Sequence, residues 1–134
     1  MIVAAHQHRN LRFPNKETFR VVRRVVTGEK KKVSVSIVFT DDRFIKNMNK
    51  RYLSHNRTTD VIAFPLSDGP GPEGEVYVNL DQAKRQALDY NVTFHNEVRR
   101  LVIHGTLHLL GYRDSTPSLK KRMRRLEDRY LARL

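Results

Sequence analysis

Cysteine is absent from the 134-residue chain, which excludes disulfides, thiolate nucleophiles and any metal or iron–sulfur centre built on sulfur ligands. A metal would have to rest on His, Asp or Glu. Tryptophan is also absent and acidic residues are scarce: 14 Asp and Glu against 26 Lys and Arg leave a formal charge of +12. So large a surplus in a small domain points to a polyanionic partner, nucleic acid ahead of a membrane surface. No apolar run approaches the roughly 20 residues of a membrane span. The apolar start from Met1 to Ala5 is cut off by His6, His8 and Arg9, too short and with the wrong charge order for a signal peptide. The chain therefore reads as soluble and cytoplasmic. Repeats, long linkers and composition shifts are missing too, so residues 1–134 read as one domain, long enough to bury about two-thirds of its unfolded surface.

What is present has clear periodicity. Ile2 to Ala5 suits a short strand, and Phe19, Val22, Val25 and Val26 lie at helical spacing in a segment that Asn15 can cap and Gly28 can end. Val33, Val35, Ile37 and Phe39 alternate as in a half-buried strand. Thr40 is placed to cap a helix with Phe44, Ile45, Met48 and Tyr52 as its apolar stripe. A polar loop from Ser54 to Thr59 leads to a strand from Val61 to Phe64, and a Gly/Pro-rich loop from Ser67 to Gly74 leads to another from Glu75 to Val78. That second loop is either a lid or a plain connection.

Three helices should follow. Ala83, Ala87, Leu88 and Tyr90 mark the first, Thr93 and Gly111 bracket the second, and Thr116-Pro117 opens the third, with Leu119, Met123, Leu126, Tyr130 and Leu134 facing the core. Strands gathered early and helices late predict an α+β fold, a small mixed sheet of about four strands with helices mainly on one face.

The second of these helices carries the chemistry. His104 and His108 are four positions apart, so their imidazoles share one helix face within reach of a common ion, and Asp114 follows just past Gly111. Three protein ligands leave one tetrahedral position open, as in a catalytic rather than a structural zinc site. The competing reading of a His pair at this spacing is ordinary surface or core histidines. Gly105 weighs against it, because glycine within a helix costs about 1 kcal/mol relative to alanine and needs a reason such as close approach of a substrate or a backbone. Leu107, Leu109 and Leu110 would supply apolar walls. The Glu that follows the first His in metalloprotease helices is replaced by Gly105, so that general base is missing.

The run His-Gly-Thr-Leu-His-Leu-Leu-Gly-Tyr from His104 to Tyr112 resembles the signature of the YbeY endoribonucleases, bacterial rRNA maturation factors with a zinc site on a zincin-like fold. Met48 to Tyr52, Thr59 to Pro65 and Gly74 to Val78 resemble that family's other segments in the same order. The resemblance implies a single-strand-preferring, metal-dependent endoribonuclease acting in 16S rRNA maturation and ribosome quality control, with one Zn2+ on His104, His108 and Asp114. Asp114 stands where the family usually has a third His, Leu53 where it often has Arg, and Ala63 where it has Ser. A carboxylate in place of an imidazole leaves the site one positive charge fewer and a bound water less acidic. Arg57 aligns with a commonly basic position and is either a phosphate clamp or a solvated loop residue.

The final helix has basic residues in excess, and Arg125, Arg129 and Arg133 repeat at four-residue spacing, where like charges repel by roughly 0.2 to 0.5 kcal/mol per pair. With Lys121 they form either an RNA-binding face or a solvated one. His6 and His8 read as surface residues, and His55 as a solvated loop residue with a possible RNA contact. His95 is more than two turns from His104 and cannot share its ion. Two other functions compete with the nuclease: a non-catalytic RNA-binding ribosome assembly factor with a structural metal, and a metal hydrolase of a non-nucleic substrate. The net charge disfavours the hydrolase and the open ligand position disfavours the assembly factor.

Overall fold

The computed structural model describes residues 1–52, 59–66 and 73–134. Among the described residues four strands and five helices follow in the order β1 (Ile2–His6), α1 (Asn15–Gly28), β2 (Ser34–Thr40), α2 (Asp42–Tyr52), β3 (Val61–Pro65), β4 (Glu73–Asn79), α3 (Leu80–Asp89), α4 (Phe94–Leu109) and α5 (Pro117–Ala132). The sheet order is β1-β2-β4-β3, with β1, β2 and β4 parallel and β3 antiparallel to β4. This is the expected mixed α+β architecture.

Strand alternation divides the sheet into two faces. Val35, Ile37 and Phe39 of β2, with Val76 and Val78 of β4, enter the main core beside α1, α3, α4 and α5. Val38, Ile62 and Tyr77 face the other way, where α2 lies: Phe44 stacks on Tyr77 at 5.9 Å and Ile45 is fully buried. Helix α4 runs through the centre of the main core. Val98, Leu101, Val102, Ile103, Leu107 and Leu109 are all buried, each worth about 1.5–3 kcal/mol when removed from water.

Several ends differ from what the local sequence predicts. Thr40 does not cap α2: it is the last ladder residue of β2, paired with Asn79, and its hydroxyl donates to Val78 O. Asp41 caps instead, its Oδ1 accepting the Phe44 amide at 2.9 Å. Asn15 is already helical, and the carbonyl of Pro14 takes the Thr18 amide. Helix α1 ends at Gly28, as the sequence predicts, but the left-handed residue that reverses the chain is Lys30, with φ of 56°. In α3, Ala83 and Ala87 are buried, whereas Leu88 is 78% exposed and Tyr90 lies past the helix end, also exposed. Leu88 sits about 100° round the helix from Ala87, off the face that meets α4. Tyr52, placed in the apolar stripe of α2, is exposed, with its ring edge-on to Phe64.

His6 and His8 are not surface residues. His6 ends β1 and stacks on Phe39 at 4.8 Å. His8 Nδ1 accepts the amides of Asn10 and Leu11, so Nε2 carries the proton and donates to Asp81 Oδ1 at 2.7 Å. The imidazole thus closes the turn after β1 and ties it to α3.

Candidate metal centre

Thr93 Oγ1 accepts the Asn96 amide at 3.0 Å and starts α4. From there its 3.6-residue period lines up Glu97, Arg100, His104 and His108 along one stripe of the helix. The helix ends at Leu109, and Gly111, whose φ of +102° suits glycine, turns the chain back and carries Asp114 to the two histidines.

The three predicted ligands converge. His104 Nε2 is 3.0 Å from His108 Nε2, and Asp114 Oδ2 is 3.4 Å from each. Ligands of a tetrahedral zinc at about 2.0–2.1 Å stand roughly 3.3 Å apart, so this triangle fits such an ion. Among the described residues these are the His, Cys, Asp or Glu side chains grouped for a metal, and all three are partly exposed.

The far side of each imidazole is fixed. His104 Nδ1 donates to Glu127 Oε2 at 2.6 Å, and His108 Nδ1 donates to the Tyr112 carbonyl at 2.8 Å. With both Nδ1 protons committed, the neutral rings turn two Nε2 lone pairs toward each other and toward a carboxylate oxygen. That arrangement suits a cation. Partners of this kind, a carboxylate and a backbone carbonyl, are those that orient metal-bound histidines. Burial disfavours charge on His104, but Glu127, with Asp60 and Asp114 near, more than offsets this and raises its pKa above the ordinary value. Glu127 is 4% exposed and is held in turn by Arg100 Nη1 at 3.0 Å, while Arg100 Nη2 reaches Asp128 at 2.8 Å.

Two concavities flank the ligands. One, about 260 Å3, lies on the His104 and Asp114 side between Asp60, Glu97, Lys120 and Arg124. Glu97 is almost fully buried there; burial raises its pKa, and Gln86 Nε2 donates to its Oε2 at 2.7 Å. The other, about 440 Å3, lies on the His108 side against Val61, Ala63 and Pro65 of edge strand β3.

Gly105 is explained by packing. A Cβ there would stand 2.3 Å from Val76 Cγ1 and 3.0 Å from Val61 Cγ2, so the absent side chain lets α4 settle on the sheet rather than admitting a substrate. Leu107 and Leu109 likewise lie in the core instead of walling the site.

Arg57 and His55 lie outside the described residues, as do Leu53 and most of the Ser67–Gly74 loop. Lys121, Arg125, Arg129 and Arg133 are exposed on or just past α5, away from the ligand triangle. Sequence reading missed Glu127 and Arg100. Arg100 precedes His104 by one helical turn, which was a usable signal; Glu127 comes from another helix, and nothing local marks it.

A family model described as Endoribonuclease YbeY matches residues 3–134. The chain belongs to this family. It is 38% identical over 132 residues to the Endoribonuclease YbeY of Chlorobium phaeovibrioides, covering 98% of this chain and 89% of that protein. To the one from Salinibacter ruber it is 40% identical over 121 residues, 83% of this chain and 77% of the relative. The solution structure of TM1509 from Thermotoga maritima superposes with a TM-score of 0.67 at 28% identity, over 98% of this chain and 87% of that one. The YbeY-like fold and the convergence of His104, His108 and Asp114 agree with the sequence-based expectation.

Proposed function

We propose that residues 1–134 form one metal-dependent endoribonuclease domain that cleaves single-stranded RNA in the cytoplasm, with rRNA of the small ribosomal subunit as substrate and ribosome maturation and quality control as its setting. Membership of the YbeY family supports the reaction class. The observation that carries the metal is the pair of Nε2 lone pairs 3.0 Å apart beneath Asp114 Oδ2, with both Nδ1 protons engaged elsewhere. Zinc is the preferred occupant, and on His104, His108 and Asp114 it would supply Lewis acidity at the scissile phosphate.

The chain's own groups do the remaining work. Glu127 and the Tyr112 carbonyl hold the imidazoles in the coordinating tautomer. Arg100 offsets the buried Glu127 charge. Lys120 and Arg124, lining the cavity shared by His104 and Asp114, are placed to hold RNA phosphates there. Lys121, Arg125, Arg129 and Arg133 extend that basic surface along α5, and Arg57 is retained as a phosphate clamp. The absence of cysteine suits the reducing cytoplasm. Among the described residues no helix is long and apolar enough to cross a membrane.

The test is metal analysis of the purified protein beside His108→Ala, paired with cleavage of rRNA precursor by both. Stoichiometric zinc and cleavage in the parent, both lost in the variant, are expected. A parent that binds RNA tightly but cleaves none with metal supplied would be an RNA-binding assembly factor instead.

A further inference from the structure

The groove between α1 and α5 stands apart from the metal centre. Its floor is the close contact of the two helices. A Cβ on Gly28 would lie 2.5 Å from the Tyr130 ring, so glycine alone lets this ring pass beneath the end of α1. Tyr130 is 1% exposed and its hydroxyl donates to Glu29. Above the floor, Arg20, Arg23 and Arg24 of α1 and Arg133 past α5 line a cavity of about 430 Å3. Arg20 is paired with Glu17, which Arg99 also shares. Among the described residues no acidic side chain pairs with Arg23, Arg24 or Arg133.

Guanidinium groups gathered round one concavity repel one another, and an external anion relieves this. Arginine's planar fork matches phosphate oxygens in bidentate fashion. The large exposed apolar side chains, Tyr52, Leu66, Leu88, Tyr90 and Val92 among them, all belong to elements other than α1 and α5. The groove therefore lacks the exposed apolar rim of a membrane-seated helix, and guanidinium groups dominate its mouth. A narrow polyanion fits it.

We propose that the α1–α5 groove is an exosite for the phosphate backbone of the substrate RNA, engaging nucleotides away from the scissile bond. This deepens the nuclease reading and rests on it for the identity of the polyanion. Glu127, against His104, and Arg133 are six residues apart, about 9 Å along the helix axis. One strand can thus follow α5 from the metal centre into the groove.

The test uses the full chain with metal chelated, so that binding is read without cleavage. Affinity for a uridine homopolymer of about 30 nucleotides is measured over a salt series for the parent and Arg23→Gln/Arg24→Gln. Two lost contacts should lower the slope of log affinity against log salt by about 1.4 and weaken binding roughly tenfold near 0.1 M salt. The control Lys46→Gln/Lys50→Gln removes equal charge from α2 on the opposite face of the sheet and should change the slope much less. Equal losses in the two variants, or no loss in either, overturn the exosite. So does a groove variant that loses binding to phosphatidylserine vesicles while keeping RNA. If the double variant fails to fold, Arg24→Gln alone should show half the slope change. A parent whose binding depends on the groove yet which never cleaves overturns the nuclease reading only; one that cleaves without groove dependence overturns the exosite only.

Discussion

Glu127 Oε2 lies 2.6 Å from His104 Nδ1, so a buried carboxylate on α5 sets the tautomer of an imidazole on α4. The link spans 23 residues of sequence and joins the core-facing side of the final helix to the candidate metal centre. It places the fourth contributor to the site behind the ligands.

Replacing Glu127 should therefore weaken metal binding without removing a ligand. Glu127→Gln is expected to lower metal affinity about 10- to 100-fold, and Glu127→Ala further, because Arg100 then also loses an anionic partner. Competition against a chelating dye reads both. An unchanged affinity in Glu127→Ala would show that His104 is oriented by packing alone.

Asp114 offers a sharper test of the ligand triangle. Asp114→Asn keeps the shape but is a far poorer zinc donor, so metal and cleavage should fall while fold and RNA binding persist. Asp114→His should retain metal, since the Asp114 side chain is 37% exposed and a longer imidazole has room. Cleavage by Asp114→Asn equal to the parent at limiting zinc would remove Asp114 from the ligand set.

Gly105→Ala should destabilise, although alanine normally gains about 1 kcal/mol over glycine in a helix. The added Cβ would stand 2.3 Å from Val76 Cγ1, an overpacking that costs about 1–3 kcal/mol. Thermal melts should show a lower midpoint, and Val76→Ala should cost less in the Gly105→Ala background than alone. A raised midpoint would mean that the α4–sheet contact yields freely.

His6 predicts a pH dependence of stability. Burial against Phe39 lowers its pKa, the Phe13 carbonyl opposes this, and Arg12 adds to the lowering. The unfolded chain then binds the proton more readily, so stability is lost as pH falls below about 6.5, the unfolded value, toward the lower folded one. Denaturant melts of the parent and His6→Gln across this window should converge or cross as pH drops. A constant difference between them would show that His6 does not contribute.

How much was legible depended on whether the information was local. The alternation of Val35, Ile37 and Phe39 and the caps at Thr93 and Thr116 act within a few residues, and each appears as read. His104 and His108 were legible because a helix repeats every 3.6 residues, which brings positions four apart together whatever surrounds them. Thr40 misled because its local role as a cap competed with a ladder position against Asn79, and the sheet won. Leu88 and Tyr90 misled for a related reason: apolar character states a preference for burial, not that a partner surface exists.

The sequence alone determined the α+β class, the basic surface, the exclusion of sulfur chemistry and the candidate ligands, because composition and short-range periodicity carry all of these. Only the tertiary structure decided what stands behind and beside the ligands. Glu127 and Arg100 meet across two helices, Gly105 is needed for the side chain of Val76, and Arg23 and Arg24 become one groove with Arg133 only once α1 lies against α5. These pairings join residues far apart along the chain, and which of many such contacts forms is settled by the packing of the whole core, which no single segment encodes.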